Sequence, residues 1–539
     1  MLKTKSMKQV LTIAACCLLF ASCCQSAAES GFEALNEQAA KEYLVPIRPS
    51  SEGRNPCWNG FARKFIYAPA FDFKKADGAA SYRFTVSDPL IGKEWSFTAE
   101  RPDADLSPIW NDIQPAKVHL TVDALDKDGK VISTVGERSF LRGFPFKGPY
   151  PGKARPYREA AMMAALYAHR MPAVQSWKTS TVPDLSYCLN AYPAKIAGAT
   201  LRTEAFIAEN IPSLREEALL IARNTAQFLM DQSRPEGDPL EFFPPTFYLD
   251  GAQAGKSFNK GWTMVMEATK TGHGYLDLFR ASGDSLYLDR ALKIADTYSK
   301  IQAEDGSFPV KVDFVTGVPM NDAKVTLESL LLFIRRIENE FGITKYSQMR
   351  DKALKWMAEV PMAAFDLEGS FEDTYGVGSQ PYQNLTNCTA TRFASYLLTS
   401  ENPSKEDIED ATDLIRLSED QFVAWDVLPD PATGVRPIPV PSTFEQYFCY
   451  EPVDDSSSNM ANAYLDLYAI TGNKLLLEKA KALMDHLTIL QNQVTGMILS
   501  IDEPVEYFWL GCNYFSFTTL MRLADLTGEP QLGICQATE

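Results

Sequence analysis

Carboxylates crowd a few stretches of this chain: Glu304 to Asp322, Glu368 to Asp373, Glu445 to Asp455 and Asp502 to Glu506. Large rings lie in or beside the same kind of stretch: Trp177, Trp262, Trp425 and Trp509, with Tyr187, Tyr382 and Tyr514. Sugar rings present flat C–H faces on which aromatic rings stack. Cleaving a glycosidic bond takes two carboxyl groups, one protonated and one ionised, on either side of it. Acids and rings together therefore point to a glycan as substrate. Asp322 and Asp455 stand at expected helix starts, where capping of free N–H groups also explains them. Glu267 falls inside an expected helix near Trp262 and His273, and a carboxylate there must find a partner or line a wet cavity.

Other chemistries lack their residues. The 539-residue chain carries 52 Lys+Arg against 69 Asp+Glu, a net −17, which argues against nucleic acid as a partner. His119, His169, His273 and His486 are scattered, and the cysteines form no C-x-x-C, so no metal site is expected. No phosphate-binding or dinucleotide fingerprint is present, and neither a nucleotide nor any other cofactor is expected.

The N-terminus carries an address. Lys3, Lys5 and Lys8 precede an apolar run from Val10 to Ala21, too short to span a bilayer. It ends in Leu19-Phe20-Ala21-Ser22-Cys23, which resembles a bacterial lipobox with Cys23 as the lipidated residue. The expectation is a lipid-anchored protein of the cell envelope, facing the periplasm or the exterior.

The elements that must position the acids change character along the chain. Tyr82-Phe84-Val86 and Val118-Leu120-Val122-Ala124 alternate with polar residues, and a turn at Asp126-Lys127-Asp128-Gly129 precedes a further strand. Residues 55–146 thus read as a small fibronectin- or immunoglobulin-like β-sandwich. From Tyr157 the period becomes helical, with segments near 157–169, 190–206, 213–231, 260–281, 284–302, 322–341, 345–359, 384–400, 404–424, 455–471, 473–490 and 510–527. Alanines 160, 218, 291, 353, 411 and 480 mark a degenerate repeat of two helices per unit. Short and long connections alternate, so all the long loops share one face. The expected fold is mainly α, an (α/α)6 barrel over 157–530 behind the β module. Residues 1–23 are a leader, 24–54 and 147–156 linkers, and 531–539 a tail.

The run Asp454-Asp455-Ser456-Ser457-Ser458-Asn459-Met460-Ala461-Asn462 resembles the Asp-Ser-Ser-Ala helix start of unsaturated glucuronyl hydrolases and related six-hairpin enzymes. Asp322, ahead of Leu327-Glu328-Ser329-Leu330-Leu331, occupies a place similar to that family's helix-opening catalytic Asp. The family's His-Asp-x-Gly-Phe motif is absent, and Glu267 is the nearest carboxylate in the corresponding inner helix. A leading β module, this barrel and a lipobox are also similar to the β-glucuronidases of glycoside hydrolase family 154. The resemblance spans about 155–530. It implies an exo-acting, metal-independent hydrolase that removes a terminal uronic acid. Asp322 is then the expected acid or base, with Glu372 or Glu267 as partner, and Asp455 and Ser456 hold sugar hydroxyls. Trp177, Tyr187, Trp262, His273, Lys311, Tyr382, Arg436, Trp509 and Tyr514 complete the expected sugar-binding set; Lys311 and Arg436 supply charge for the uronate. A polysaccharide lyase or uronyl epimerase uses the same barrel, since fold does not settle function. A glycan-binding surface lipoprotein without catalysis is the reading of a different class.

Overall fold

The structure is a computed structural model that describes residues 31–47, 60–249, 257–368, 382–427, 438–501 and 508–531. The leader and Cys23 lie outside the described residues, as do Glu372 and Arg436. No described helix is long and apolar enough to cross a membrane.

The β region is one sheet, where a two-sheet sandwich was expected. Strands β1 (Lys64–Phe65), β2 (Ser81–Asp88), β3 (Lys93–Ala99), β4 (Lys117–Leu125) and β5 (Val131–Arg142) pair in the order β1-β5-β4-β2-β3. All pairs are antiparallel except β1 with β5. Tyr82, Phe84, Val86, Val118, Leu120 and Val122 are buried on one face. The layer opposite them is not a second sheet. It is the connection carrying Phe71 and the short helix α2 (Ser107–Trp110), whose Trp110 donates from Nε1 to the Ile66 carbonyl at 2.7 Å. Alternation shows that one face of each strand is buried, but not what covers it. Ahead of the sheet, a helix over 31–42 (α1) occupies part of the stretch expected as a linker. Its Ala39 and the following Tyr43 pack into the helical core.

Among the described residues twelve longer helices follow, with the short α4 (Pro172–Gln175) among them. Six form an inner ring: α5 (Pro193–Asn210), α7 (Ala268–Ser282), α9 (Glu328–Phe341), α11 (Asn387–Leu398), α13 (Asp454–Thr471) and α15 (Leu510–Leu526). Each touches the next, and α15 closes on α5. Outside them lie α3 (Tyr157–Arg170), α6 (Arg215–Gln232), α8 (Ser285–Ile301), α10 (Ser347–Met357), α12 (Lys405–Phe422) and α14 (Lys474–Leu490). This is a closed ring of six helical hairpins. Every short connection runs from an inner helix to an outer one, and every long one leads into an inner helix. All long loops therefore stand at the N-terminal ends of the inner helices.

Local chemistry sets the short turns. α7 and α13 end at Gly283 (φ 75°) and Gly472 (φ 66°), left-handed positions that glycine takes without strain. Asp284 and Asn473 then cap α8 and α14 by accepting from Leu286 N and Leu475 N. Two inner helices begin later than the sequence suggests. α7 starts at Ala268 instead of near 260, because β6 (Trp262–Met264) pairs with β7 (Lys311–Asp313). α9 starts at Glu328 instead of 322, because Lys324 is bridged to Pro309 in extended conformation. Asp322 is consequently an exposed loop residue six positions before α9, and it caps no helix.

Candidate active site

A cavity of about 450 Å³ opens inside the inner ring, and all six inner helices contribute to its wall. The wall is written as polar stripes at helical spacing. Cys388, Arg392, Ser395 and the C-cap Thr399 line it from α11, and Asp455, Asn459, Asn462 and Asp466 from α13. Each set follows i, i+4, i+7, i+11, one face of a helix. At the level of the long loops stand Lys195, Glu267, Glu328, Asp455 and Cys512, with Glu445 from the connection before α13. Deeper lie Arg202, His273, Tyr514 and Phe515, then Arg336 and Arg522. Glu328 and Arg336 are eight residues apart, a rise of about 12 Å along the barrel.

Three carboxylates at the mouth differ in their surroundings. Glu328 is 7% exposed, its Oε2 has no partner among the described residues, and its Oε1 lies 3.4 Å from Ser329 Oγ, with Thr326 also close to the carboxyl. Burial pushes its pKa up, with the charge of Arg392 opposing. Glu267 is also buried; Oε1 accepts from Lys270 Nζ at 2.6 Å and Oε2 has no partner. Asp455 lies 3.6 Å from Arg392. Its neighbour Asp454 turns away, accepting from Ser516 Oγ at 2.7 Å, and burial followed by the charge of Asp455 pushes its pKa well up.

The cations differ in how tightly they are paired. Arg202 and Arg336 both bind Asp277, at 2.9 and 2.7 Å, and Arg336 also holds Glu340 at 2.5 Å. Burial alone would raise the pKa of Asp277, but Arg336, Arg202 and Arg280 bring it down to about 2. Arg522 binds Asp466 at 2.6 Å and Asn462 Oδ1 at 3.0 Å. These pairs form a self-satisfied layer low in the barrel. Arg392 is different. Its Nε donates to Asn459 Oδ1 at 3.2 Å and its guanidinium lies 4.7 Å over the Phe515 ring. Its terminal nitrogens make no hydrogen bond among the described residues; NH2 stands 3.6 Å from Asp455 Oδ2, an ion pair too long for a hydrogen bond, so the fork that binds carboxylates bidentately lines the cavity beside Asp455 with its hydrogen bonds unmade. His273 Nδ1 lies 3.2 Å from Arg336, a permanent donor. Burial, then Arg202 and Arg336, hold its pKa well down, so the ring is neutral and its proton sits on Nε2.

The structure gathers Glu267, His273, Asp455 and Tyr514 around the cavity, and the other expected residues that it describes do not line it. Trp177 is 1% exposed and packs against Phe228 in the core. Trp425, likewise buried, donates to Glu419 at 3.0 Å. Tyr187 is a strut, donating to Phe508 O and accepting from Leu510 N. Trp262 lies in β6, Lys311 Nζ is bonded to Asn259 Oδ1 at 3.0 Å, and the Tyr382 hydroxyl donates to Ala364 O. Ser456 is fully buried, and Trp509 precedes α15. Asp322 does not line the cavity. Glu328 and Arg392 were missed. Their signal was present in the sequence: charged residues recurring at helical spacing in otherwise apolar inner helices. Among the described residues no group of three or more His, Cys, Asp or Glu is arranged to hold a metal ion.

No family profile and no curated protein matches the chain. Solved structures similar to it include a family 76 glycoside hydrolase from a bovine Bacteroides thetaiotaomicron strain, with TM-score 0.46 and 12% identity over 87% of this chain and 98% of that one. An unsaturated glucuronyl hydrolase specific for heparin gives TM-score 0.44 and 13% identity over 69% and 98%. The cellobiose 2-epimerase of Spirochaeta thermophila DSM 6192 gives 0.45 and 12% over 65% and 90%. These neighbours are glycoside hydrolases and a sugar epimerase. At this distance the function of the present chain has to be argued from its own cavity.

Proposed function

We propose that this protein is an exo-acting glycoside hydrolase that releases a terminal uronic acid, glucuronic acid or a close relative, from a glycan. One observation carries the proposal: a buried carboxyl with an unpartnered oxygen, Glu328, shares the cavity mouth with Asp455 and the guanidinium of Arg392, which faces Asp455 at 3.6 Å without a hydrogen bond between them. Glu328, its pKa raised by burial, is the general acid that protonates the glycosidic oxygen. Asp455 is the carboxylate that activates water or attacks the anomeric carbon. Arg392 binds the uronate carboxylate with two parallel hydrogen bonds. Glu267 Oε2 and the neutral Nε2–H of His273 hold sugar hydroxyls. The paired charges of Arg202, Asp277 and Arg336, on the neighbouring helices α5, α7 and α9, line one side of the barrel below the mouth. The net −17 charge is no obstacle, because one arginine in the cavity suffices for one carboxylate. None of these roles draws on a metal. The lipobox adds a lipid anchor at Cys23 and a place in the cell envelope.

The test is a panel of glycans ending in glucuronic or galacturonic acid, with products identified by mass. Release of the free uronic acid, abolished by Glu328→Gln, supports the proposal. An unsaturated, ultraviolet-absorbing product would replace hydrolysis with lyase chemistry. Binding without turnover that survives Glu328→Gln and Asp455→Asn would make the protein a glycan receptor.

A further inference from the structure

The five-stranded sheet meets the connection that carries Glu445 to the cavity wall, where Leu141 of β5 packs with Tyr447 and Tyr450. Arg63, just before β1, donates from NH2 to the Tyr447 carbonyl at 2.8 Å and lays its guanidinium 4.7 Å over the Tyr450 ring. It thus bridges two points of the connection between β9 (Ser442–Thr443) and α13. Glu445, two residues before Tyr447, lines the cavity from that connection. The rest of the segment is braced from the barrel side. Glu445 N donates to Glu451 O and Asn387 N to Glu445 O, both at 3.0 Å. Phe444 stacks on Tyr450 with centroids 4.2 Å apart. The hydroxyls of Tyr447 and Tyr450 both donate to Gln421, at 2.7 Å each, and Gln421 Nε2 donates to Lys64 O at 2.9 Å. Sheet, α12 and the Glu445 connection therefore share one buried polar joint.

We infer that Arg63 is a positioning residue: by clamping Tyr447 and Tyr450 it holds Glu445 at the cavity wall, where Glu445 accepts hydroxyls of the bound sugar. The sheet is then part of the binding site's frame, not an appended module. The role given to Glu445 rests on the hydrolase reading above; the clamp does not. A charged donor on a carbonyl is a strong hydrogen bond, and the same planar group stacks on a ring, a pair of tasks that lysine cannot do together. Loosening the clamp frees the Glu445 connection while leaving Glu328 and Asp455 in place on their helices. Loss of a binding contact with the acid intact raises KM and spares kcat.

The experiment compares parent, Arg63→Ala and Arg63→Lys by amide hydrogen exchange over 442–453 and by steady-state kinetics on a terminal glucuronide. The expected result for Arg63→Ala is faster exchange in 442–453 with α5 and α7 unchanged, KM raised about 10-fold, and kcat within about 3-fold. Arg63→Lys, the variant that keeps the charge should Arg63→Ala fail to fold, falls between. Parental exchange in 442–453 in both variants overturns the clamp, whatever the protein catalyses. Faster exchange with parental KM in an active enzyme overturns the role of Glu445. A parent with no hydrolase activity refutes the hydrolase reading and with it that role, and exchange alone then decides the clamp.

Discussion

Arg392 and Asn459 stand one turn below Cys388 and Asp455 on the adjacent inner helices α11 and α13, and the 3.2 Å hydrogen bond from Arg392 Nε to Asn459 Oδ1 fixes the plane of the guanidinium. With Phe515 beneath it, the group is oriented before any ligand arrives. Holding a binding group in its bound geometry reduces the entropy lost on association. Arg392→Lys should raise KM for a terminal glucuronide about 100-fold, since a lysine cannot form the paired hydrogen bonds. The same change should matter little for the methyl ester of that glucuronide, which lacks the negative charge. Equal losses on both substrates would remove Arg392 from carboxylate recognition.

Glu328→Gln should fold and lose at least about 100-fold in kcat, because an amide does not deliver the proton. The acid must be protonated, so parental activity should fall on the alkaline side as Glu328 ionises at its raised pKa. Stability follows the same sign. A carboxyl with a raised folded pKa contributes stability at low pH that is lost as pH rises through that pKa. The parent should lose that increment on raising the pH, and Glu328→Gln should not. Asp322→Asn serves as the comparison: an exposed loop residue outside the cavity, it should keep parental turnover and melting.

His169, 2% exposed at the end of α3, is pinned between two acids. Its Nδ1 lies 2.8 Å from Glu204 Oε2, and its Nε2 lies 3.4 Å from Glu217. Burial lowers its pKa, but the Glu204 hydrogen bond and the charges of Glu204 and Glu217 win and raise it. The stabilisation from this pair is therefore complete below the ordinary histidine value near ~6.5 and lost as pH rises through the raised folded value. His169→Ala leaves Glu204 buried without a partner and should cost about 3 kcal/mol at pH 6. Denaturant melts should show the gap to the parent narrowing by pH 9. A gap independent of pH would mean that His169 acts through packing alone.

Gly274 lets α5 and α7 approach. A Cβ there would sit 2.9 Å from the Gly198 carbonyl oxygen and 3.0 Å from Leu201 Cβ. The carbonyl is backbone, so the helices themselves must separate. Gly274→Ala should cost about 1–3 kcal/mol by overpacking. Gly152→Ala, where a Cβ meets nothing within 4 Å, should be near neutral. Equal melting of the two variants would refute the close approach.

The hairpin ring was legible because its determinants are local. Helical periodicity, the left-handed glycines at 283 and 472 and the alternation of short and long connections all operate within a few residues. Elements paired across distance were not legible. The β6 and β7 strands are three residues each and nearly fifty residues apart, so no local pattern announced that they would delay the start of α7. The second layer of the β region was hidden for the same reason, since alternation reports burial but not the identity of the cover.

For the site, residue type and spacing alone determined that acids would gather at one end of a helical ring. Which acid enters the cavity was decided by tertiary structure. Asp322 and Glu328 are six residues apart, and the position of the first helical residue places one in solvent and the other under the mouth. The same holds for the cations. Arg202, Arg336, Arg392 and Arg522 are alike as letters, but Asp277, Glu340 and Asp466, carried by the folded helices, hold three of them by short ion pairs, while Arg392 meets Asp455 only at 3.6 Å. Charge pairing in a buried cavity depends on which side chains converge from different helices, and convergence is a property of the closed ring, not of any one segment.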